Sequence, residues 1–458
     1  MSTDTSPASA EPRLRLTFVA SELAPLVQTG GLGDAVSGLA HALAERGHAI
    51  DCILPAHRAA LTSPLGLELE ETGRTRLEGL GHSLDGRWLT GRLGALTIHL
   101  LDLDELFDRD TLYGGDDEGH RFAAFARAAA ERCAELEPDV LVAHDWQAAL
   151  SICVLRTLYD RGNARGIGTV QVVHNNAHQG RFDPSLLDVA GLPGALFAPD
   201  GLEWHGQVSL LKGGLVWADR IVAVSPSYAE ELTTPEFGEG LEGLYRYRAH
   251  RLLGIANGID AHSYDPEKDA ALPAQFDRKA LGGRELCREA LIAELGLESP
   301  AEGWLLACIG RLAVQKGWDV LADAVPELVR RGASIVLLGD GDPVIAERIE
   351  ALGRRFPGRI ALETGWNDGL ARRIYAGADS VLVPSRFEPC GLVQLLSQRY
   401  GALPVAHAVG GLRDTIRDDR TGILFTPLSA EALVDAVERG ADLRRDTGAA
   451  LTRALLRK

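Results

Sequence analysis

Val383-Pro-Ser-Arg-Phe-Glu-Pro-Cys-Gly-Leu-Val-Gln-Leu395 is the stretch from which the rest of the chain is read. Residues 380–383 form a short apolar run fit for the end of a buried strand. Prolines at 384 and 389 punctuate a polar turn. Leu392, Leu395 and Leu396 then fall at helical spacing, and Gly401 and Pro404 stop the helix. Strand, turn, helix delivers Glu388 at the carboxyl end of a strand. It also puts Gly391 where a helix begins, with free N–H groups and the positive dipole end facing outward. Open α/β sheets bind phosphorylated ligands at such points. The same pattern also describes a plain capped turn with Glu388 at the cap.

The alternation continues on both sides. Apolar runs at 252–257, 304–309, 334–338, 360–363, 404–406 and 422–425 predict the strands of the second half. Runs at 14–20, 50–54, 95–101, 140–143, 169–173 and 220–224 predict those of the first. Helical stretches separate most of them, which implies parallel sheets covered on both faces. The fold class expected is α/β, with two Rossmann-like lobes at 13–250 and 251–458. Residues 1–12 read as a disordered tail, 266–283 as a linker or surface excursion, and 432–458 as a final helix.

At 458 residues the chain exceeds what one core usually sustains. Lys and Arg number 47 against 64 Asp and Glu, a net charge of −17. That argues against nucleic acid or an anionic membrane as the main partner. It leaves an anionic nucleotide open, because one local basic cluster suffices. The six cysteines form no C-x-x-C pair, so reduced thiols in a cytoplasmic protein are the simpler reading. No apolar run approaches the roughly 20 residues of a membrane span.

Several clusters sit just after predicted strands. Gln28-Thr-Gly-Gly-Leu-Gly-Asp34 is a glycine loop, in which Gly30 and Gly31 would let backbone N–H groups approach a ligand. A helix follows, with Val36, Leu39, Ala40 and Leu43 on one face. Such loops also simply turn the chain. His144-Asp145 and His174-Asn175 follow two more strands. His144 reads as a buried, hydrogen-bonded histidine; Asp145 orders a loop or meets a sugar. Lys212 reads as a phosphate ligand or, more simply, as a solvated helix lysine. Gly310-Arg-Leu-Ala-Val-Gln-Lys-Gly317 brings Arg311 and Lys316 to opposite ends of one turn. A planar fork and a compact charge suit a diphosphate. No D-x-D pair lies beside them, so the two cations would do a metal's work and no metal is expected.

Pro384-Ser-Arg-Phe-Glu-Pro-Cys-Gly-Leu392 resembles the glycogen and starch synthases that use a nucleotide-diphosphate glucose. The 28–34 loop resembles their K-T-G-G-L-G-D loop, with Gln28 in place of the lysine. The stretches 107–114, 206–219 and 224–228 are similar to the same family, and the resemblance runs from about Leu16 to about Phe425. It implies the GT-B architecture with an interlobe cleft, and a retaining glucosyltransferase. The donor would be ADP-glucose and the acceptor the non-reducing end of an α-1,4-glucan (glycogen), with no cofactor. It puts the active-site histidine at His174, a base-stacking aromatic at Trp366, and the donor diphosphate against Arg311, Lys316 and the backbone of Cys390, Gly391 and Leu392. Glu388 would face the glucose, and the 410–415 turn would lie near it. Gln28, His178 (usually Tyr), Ser209 (usually Asn) and an early stop at Lys458 depart from the family. They keep a second reading open, a weakened relative that binds nucleotide or glucan and regulates another enzyme. A third is a transferase with another acceptor, such as a maltosyl phosphate. A phosphorylase would share the two lobes but require pyridoxal phosphate.

Overall fold

The computed structural model describes residues 12–78, 83–159, 166–300, 304–365 and 367–457. Of the predicted tail, residues 1–11 lie outside the described residues. The chain forms two compact units. One holds the residues up to Ala223 together with Leu232–Leu253; the other holds Val224–Glu231 and everything from Gly254 onward.

The first unit carries β1 (Arg15–Val19), β2 (Ala49–Pro55), β3 (Glu70–Glu78), β4 (Ser83–Leu93), β5 (Leu96–Asp102), β6 (Val140–His144), β7 (Gly168–Val173), β8 (Arg181–Phe182), β9 (Glu203–Trp204), β10 (Gln207–Ser209), β11 (Arg220–Ala223) and β12 (Leu252–Gly254). Its main sheet runs β12-β11-β7-β6-β1-β2-β5-β4-β3. The six strands from β11 to β5 are mutually parallel. Counted among themselves in chain order they stand 3-2-1-4-5-6 from β5 to β11, so the order reverses between β1 and β6. That reversal opens a crevice at the carboxyl ends of the two strands. The hairpin β3–β4 extends one side antiparallel to β5. The sequence reading had no strand there, and it assigned 252–257 to the second half. Leu252–Gly254 instead pairs at the edge of the first sheet.

The second unit carries β13 (Leu305–Ile309), β14 (Ser334–Gly339), β15 (Ile360–Thr364), β16 (Ser380–Val383), β17 (Leu403–His407) and β18 (Ile423–Phe425). All are parallel, in the order β15-β14-β13-β16-β17-β18. This is 3-2-1-4-5-6 again, with its reversal between β13 and β16. Alternation explains why the strands read as continuous apolar runs. Leu306, Cys308, Ile335 and Leu337 enter one core, while Leu305, Ala307, Val336 and Leu338 enter the other. Each large aliphatic so buried contributes about 1.5–3 kcal/mol. The predicted final helix is two, Ala430–Thr447 and Ala449–Leu455, broken where Gly448 turns to φ +52.

Candidate active site

In the second unit the loop after β13 and the turn after β16 are stitched together. Gly317 adopts φ +69, and a Cβ there would lie 1.9 Å from the Pro384 carbonyl oxygen. Only glycine allows that approach. Arg386 N–H donates to Gln315 O at 2.8 Å, and Gln315 Nε2 donates to Phe387 O at 3.1 Å. Buried Trp318 donates from Nε1 to Arg311 O at 2.7 Å. The result is a fixed distance between the two loops' functional ends. Lys316 Nζ stands 2.7 Å from Glu388 Oε2, with side-chain exposures of 21% and 8%. Ser385 Oγ donates to the same Oε2 at 2.9 Å, and His407 Nδ1 holds Ser385 O at 2.8 Å. Among the described residues both side-chain bonds on the carboxylate fall on Oε2, and Lys316, Ser385, Glu388, Gly391 and Gln394 help to line a cavity there. Lys316 has three N–H donors and spends one on Glu388. Arg311 is different: its guanidinium is exposed and, among the described residues, makes only a long contact, 3.4 Å, with Gln315 Oε1.

Gly391 turns at φ +77 to open the helix Val393–Arg399, as the sequence predicts, and Leu392 precedes its first turn. Burial pushes the Cys390 thiol up to about 12, so it stays protonated and is no nucleophile. Trp366 lies outside the described residues. The Glu388 turn is held from behind as well. Gly411 N–H donates to Glu388 O at 3.0 Å, Gly410 N–H to Glu231 Oε1 at 2.8 Å, and Ser225 Oγ to Pro389 O at 2.6 Å.

In the first unit the corresponding reversal has another character. His144 ends β6 and is wholly buried; its Nδ1 lies 2.9 Å from Nε2 of His174, which follows β7. Asp145 adopts φ +55, a left-handed conformation that aspartate tolerates better than most. It thereby turns Oδ1 to accept from His174 N at 2.6 Å and Asn175 N at 3.2 Å. Burial holds His174 down to about 3 and His144 well below its ordinary value. Burial pushes the Asp145 carboxyl up to about 7, against the pull of the two backbone donors. After β1, Glu22 accepts from Thr29 N at 2.8 Å and Thr29 Oγ1 at 2.9 Å, which ties down the loop bearing Gln28 and Gly30. Tyr113 donates to Glu22 Oε1 and pairs with Ser21 Oγ at 2.8 Å.

Residues 15–247 match the family model of the starch synthase catalytic domain, and residues 304–442 that of the glycosyl transferases group 1. The glycogen synthase of Anaeromyxobacter dehalogenans (strain 2CP-C) is 41% identical over 447 residues, which cover 94% of this chain and 93% of that one. That of Roseobacter denitrificans is 40% identical, with 97% and 95% covered. The chain belongs to the glycogen and starch synthase family. The catalytic domain of starch synthase IV from Arabidopsis thaliana, solved bound to ADP and acarbose, superposes with a TM-score of 0.91 at 30% identity, covering 97% of this chain and 95% of that one. A sucrose-phosphate synthase from Thermosynechococcus elongatus, at 20% identity and TM-score 0.61 (97% and 92% covered), shares the fold. The chain thus has the two-domain GT-B fold and the function of a glycogen or starch synthase, a hexosyltransferase.

Some expectations for this synthase need correcting. Gly31 is not in the glycine loop: it is the first residue of the helix Gly31–Glu45. That helix buries Gly33, Val36 and Ala40, and leaves Leu39 43% exposed. Lys212 is not solvated. It is 5% exposed, and Nζ donates to Pro199 O at 2.7 Å and Glu203 O at 2.6 Å. Burial lowers its pKa, with the charges of Glu203 and Asp200 opposing. Ser209 caps the same helix, accepting from Lys212 N at 3.2 Å. The reading of single motifs passed over Glu22, Tyr113, Ser385, His407 and Glu231. Ser385 stands inside the 384–392 motif, and Tyr113 inside the 107–114 stretch that is similar to the family. Glu22 and Glu231 gave no signal that sequence alone could rank.

Proposed function

We propose that this synthase takes glucose from ADP-glucose and adds it, with retention, to the non-reducing end of an α-1,4-glucan in the cytoplasm. The observation that carries the reading is the Lys316–Glu388 pair beside a cavity at the β13–β16 reversal. The 30% identical starch synthase bound to ADP and acarbose supports the nature of the two ligands. No helix among the described residues is long and apolar enough to cross a membrane.

The roles follow from chemistry. The bond from glucose C1 to the diphosphate oxygen breaks, and its electron pair leaves on ADP. The acceptor hydroxyl forms the new bond to C1 and gives up its proton to the departing diphosphate oxygen. Negative charge grows on the diphosphate while the sugar gains oxocarbenium character. The free N–H groups of Lys316, the Arg311 guanidinium and the backbone at Cys390, Gly391 and Leu392 would stabilise the first. The carboxylate of Glu388 would fix and stabilise the second, and His174 would hold the sugar. Gln28, Gly30 and Asp145 would order the first unit's side of the reaction, Gly31 with them through the helix it starts, and Trp366 would stack on the base. Among the described residues that line the cavity Glu388 is the one carboxylate, so no covalent glycosyl intermediate is invoked.

The test is transfer of labelled glucose to glycogen from ADP-glucose and from UDP-glucose, with the linkage read by proton NMR. Preferential incorporation from ADP-glucose as an α-1,4 unit is expected. Preference for UDP-glucose or a β-linked product would overturn the donor or the stereochemistry. Nucleotide binding without turnover would favour a regulatory role.

A further inference from the structure

The two histidines of the first unit share one hydrogen bond, and its direction has consequences. Nδ1 of His144 and Nε2 of His174 are 2.9 Å apart, so a single proton lies between them. Burial keeps both rings neutral at ordinary pH, and a neutral imidazole carries one N–H. Only two arrangements remain. In one, His174 donates from Nε2 and its Nδ1 is bare. His144 must then carry its proton on Nε2. In the other, His144 donates from Nδ1, its Nε2 is bare, and His174 carries its proton on Nδ1.

The far side of His144 decides between them. His144 is wholly buried, and its Nε2 has no hydrogen-bond partner among the described residues. The Phe18 ring packs 5.1 Å away, centroid to centroid. The first arrangement leaves a buried N–H donor unpaired; the second leaves only a bare nitrogen. Orphaned buried donors are the rarer and costlier defect. We infer that His144 is a positioning residue that fixes His174 as the Nδ1–H tautomer, so that His174 meets the sugar as a hydrogen-bond donor and not as a base.

No group among the described residues hydrogen-bonds His174 Nδ1, and the ring is only partly buried. The N–H is therefore free for an oxygen acceptor, such as a hydroxyl or an oxygen gaining negative charge. Backbone geometry adds support from the other side. Asp145 Oδ1 takes the N–H groups of His174 and Asn175, which fixes the main chain while His144 fixes the ring. The inference takes from the proposed function only that His174 faces the sugar.

The tautomer can be read without substrate, which separates its failure from a wrong donor or acceptor. In histidine-15N protein at pH 7.5, long-range proton–nitrogen spectra distinguish bare from protonated ring nitrogens. The protein has 13 histidines, and the His174→Asn spectrum identifies the signals of His174. A protonated Nδ1 and a bare Nε2 are expected. A protonated Nε2 on His174 would overturn the inference. Two variants carry it into activity. His144→Phe should lower kcat by about 10- to 100-fold, as loss of the groups orienting metal-bound histidines does, with the donor KM little changed. His144→Asn, whose amide can donate at the same place, should recover most of that loss. An unchanged kcat in His144→Phe would show that the bond positions nothing. Should His144→Phe fail to fold, the spectrum of the unaltered protein still decides.

Discussion

Behind β1 and β6 the first unit gathers two neutral histidines and a carboxyl whose pKa burial raises. Behind β13 and β16 the second unit sets a lysine against a glutamate beside a cavity, with an arginine in solvent nearby. The strand order around both is the same. Topology therefore fixes where side chains converge, and burial fixes what they can do there. A desolvated pair of histidines suits the uncharged hydroxyls of a sugar. A partly exposed cation with spare donors suits a diphosphate. One strand order, used twice, thus carries a neutral polar cluster in one unit and a charged pair in the other.

The comparison can be broken most directly at Lys316. Lys316→Ala removes the held cation and leaves Glu388 without its ion-pair partner. We expect kcat/KM to fall about 10²- to 10³-fold, the usual cost of deleting an electrostatic donor from such a site. A loss under tenfold would mean that Arg311 alone handles the diphosphate. Gln28→Lys tests whether the first unit also lacks a cation that it could use. Glutamine donates a neutral hydrogen bond where a lysine would donate a charged one, roughly twice as strong. Turnover should rise by about one to two orders of magnitude, a discount on the range for a whole donor because Gln28 keeps one. No gain would show that the braced loop does not reach phosphate.

Glu388→Gln probes the pair more gently. The amide can still accept from Lys316 but carries no charge. We expect kcat to drop about tenfold or more, with donor affinity unchanged or tighter because Lys316 is no longer neutralised. Equal kcat would reduce Glu388 to a structural cap.

Acid should find the first unit before the second. Burial, aided by the charge of Arg121, holds His57 down to about 4, and burial holds His174 down to about 3. Unfolded, each would titrate near 6.5. As pH falls below that value the unfolded chain takes up protons that the folded chain refuses, so stability falls. Asp145 works in the opposite sense. Its folded pKa of about 7 exceeds the unfolded 3.8, so its contribution grows as pH falls between those values. Three histidines with lowered pKa, His57, His144 and His174, against one aspartate leave a net loss on acidification. Each uncompensated histidine is worth about 1.4 kcal/mol per pH unit. In urea unfolding between pH 6 and 4.5 (on the order of the window these shifts define), His57→Gln should show a shallower dependence by about that amount. An identical slope would mean that His57 is charged in the fold.

The parallel strands were legible because both of their faces are buried, which makes them continuous apolar runs. The hairpin β3–β4 was not. Glu70, Arg74, Arg76 and Glu78 line one face and edge, while Thr75, Leu77, Leu84 and Trp88 turn inward, with Gly86 and Gly91 buried beside them. The Lys316–Glu388 meeting was half legible. Each residue stood after a strand, but their mutual bond depends on Gly317 admitting the Pro384 turn. Lys212 was misread because its partners are carbonyls, which every residue has and no sequence marks. Glu22 and Tyr113, 91 residues apart, meet only once the strands are ordered.

The excursion of Val224–Glu231 bears on how the protein is made. Its Ser225, Glu231 and Ser227 bond to Pro389, Gly410 and Asp414, which lie 164, 179 and 187 residues later. A ribosome therefore releases this strap long before the groups that it serves exist, and the chain resumes the first unit at Leu232 in the meantime. No single scission yields both units whole. A fragment beginning at Gly254 would be born without the acceptor for the Gly410 N–H and without the donor for the Pro389 carbonyl, at the back of the turn that carries Glu388. A short peptide spanning 224–231, supplied in trans, is what such a fragment would need to recover its Glu388 turn.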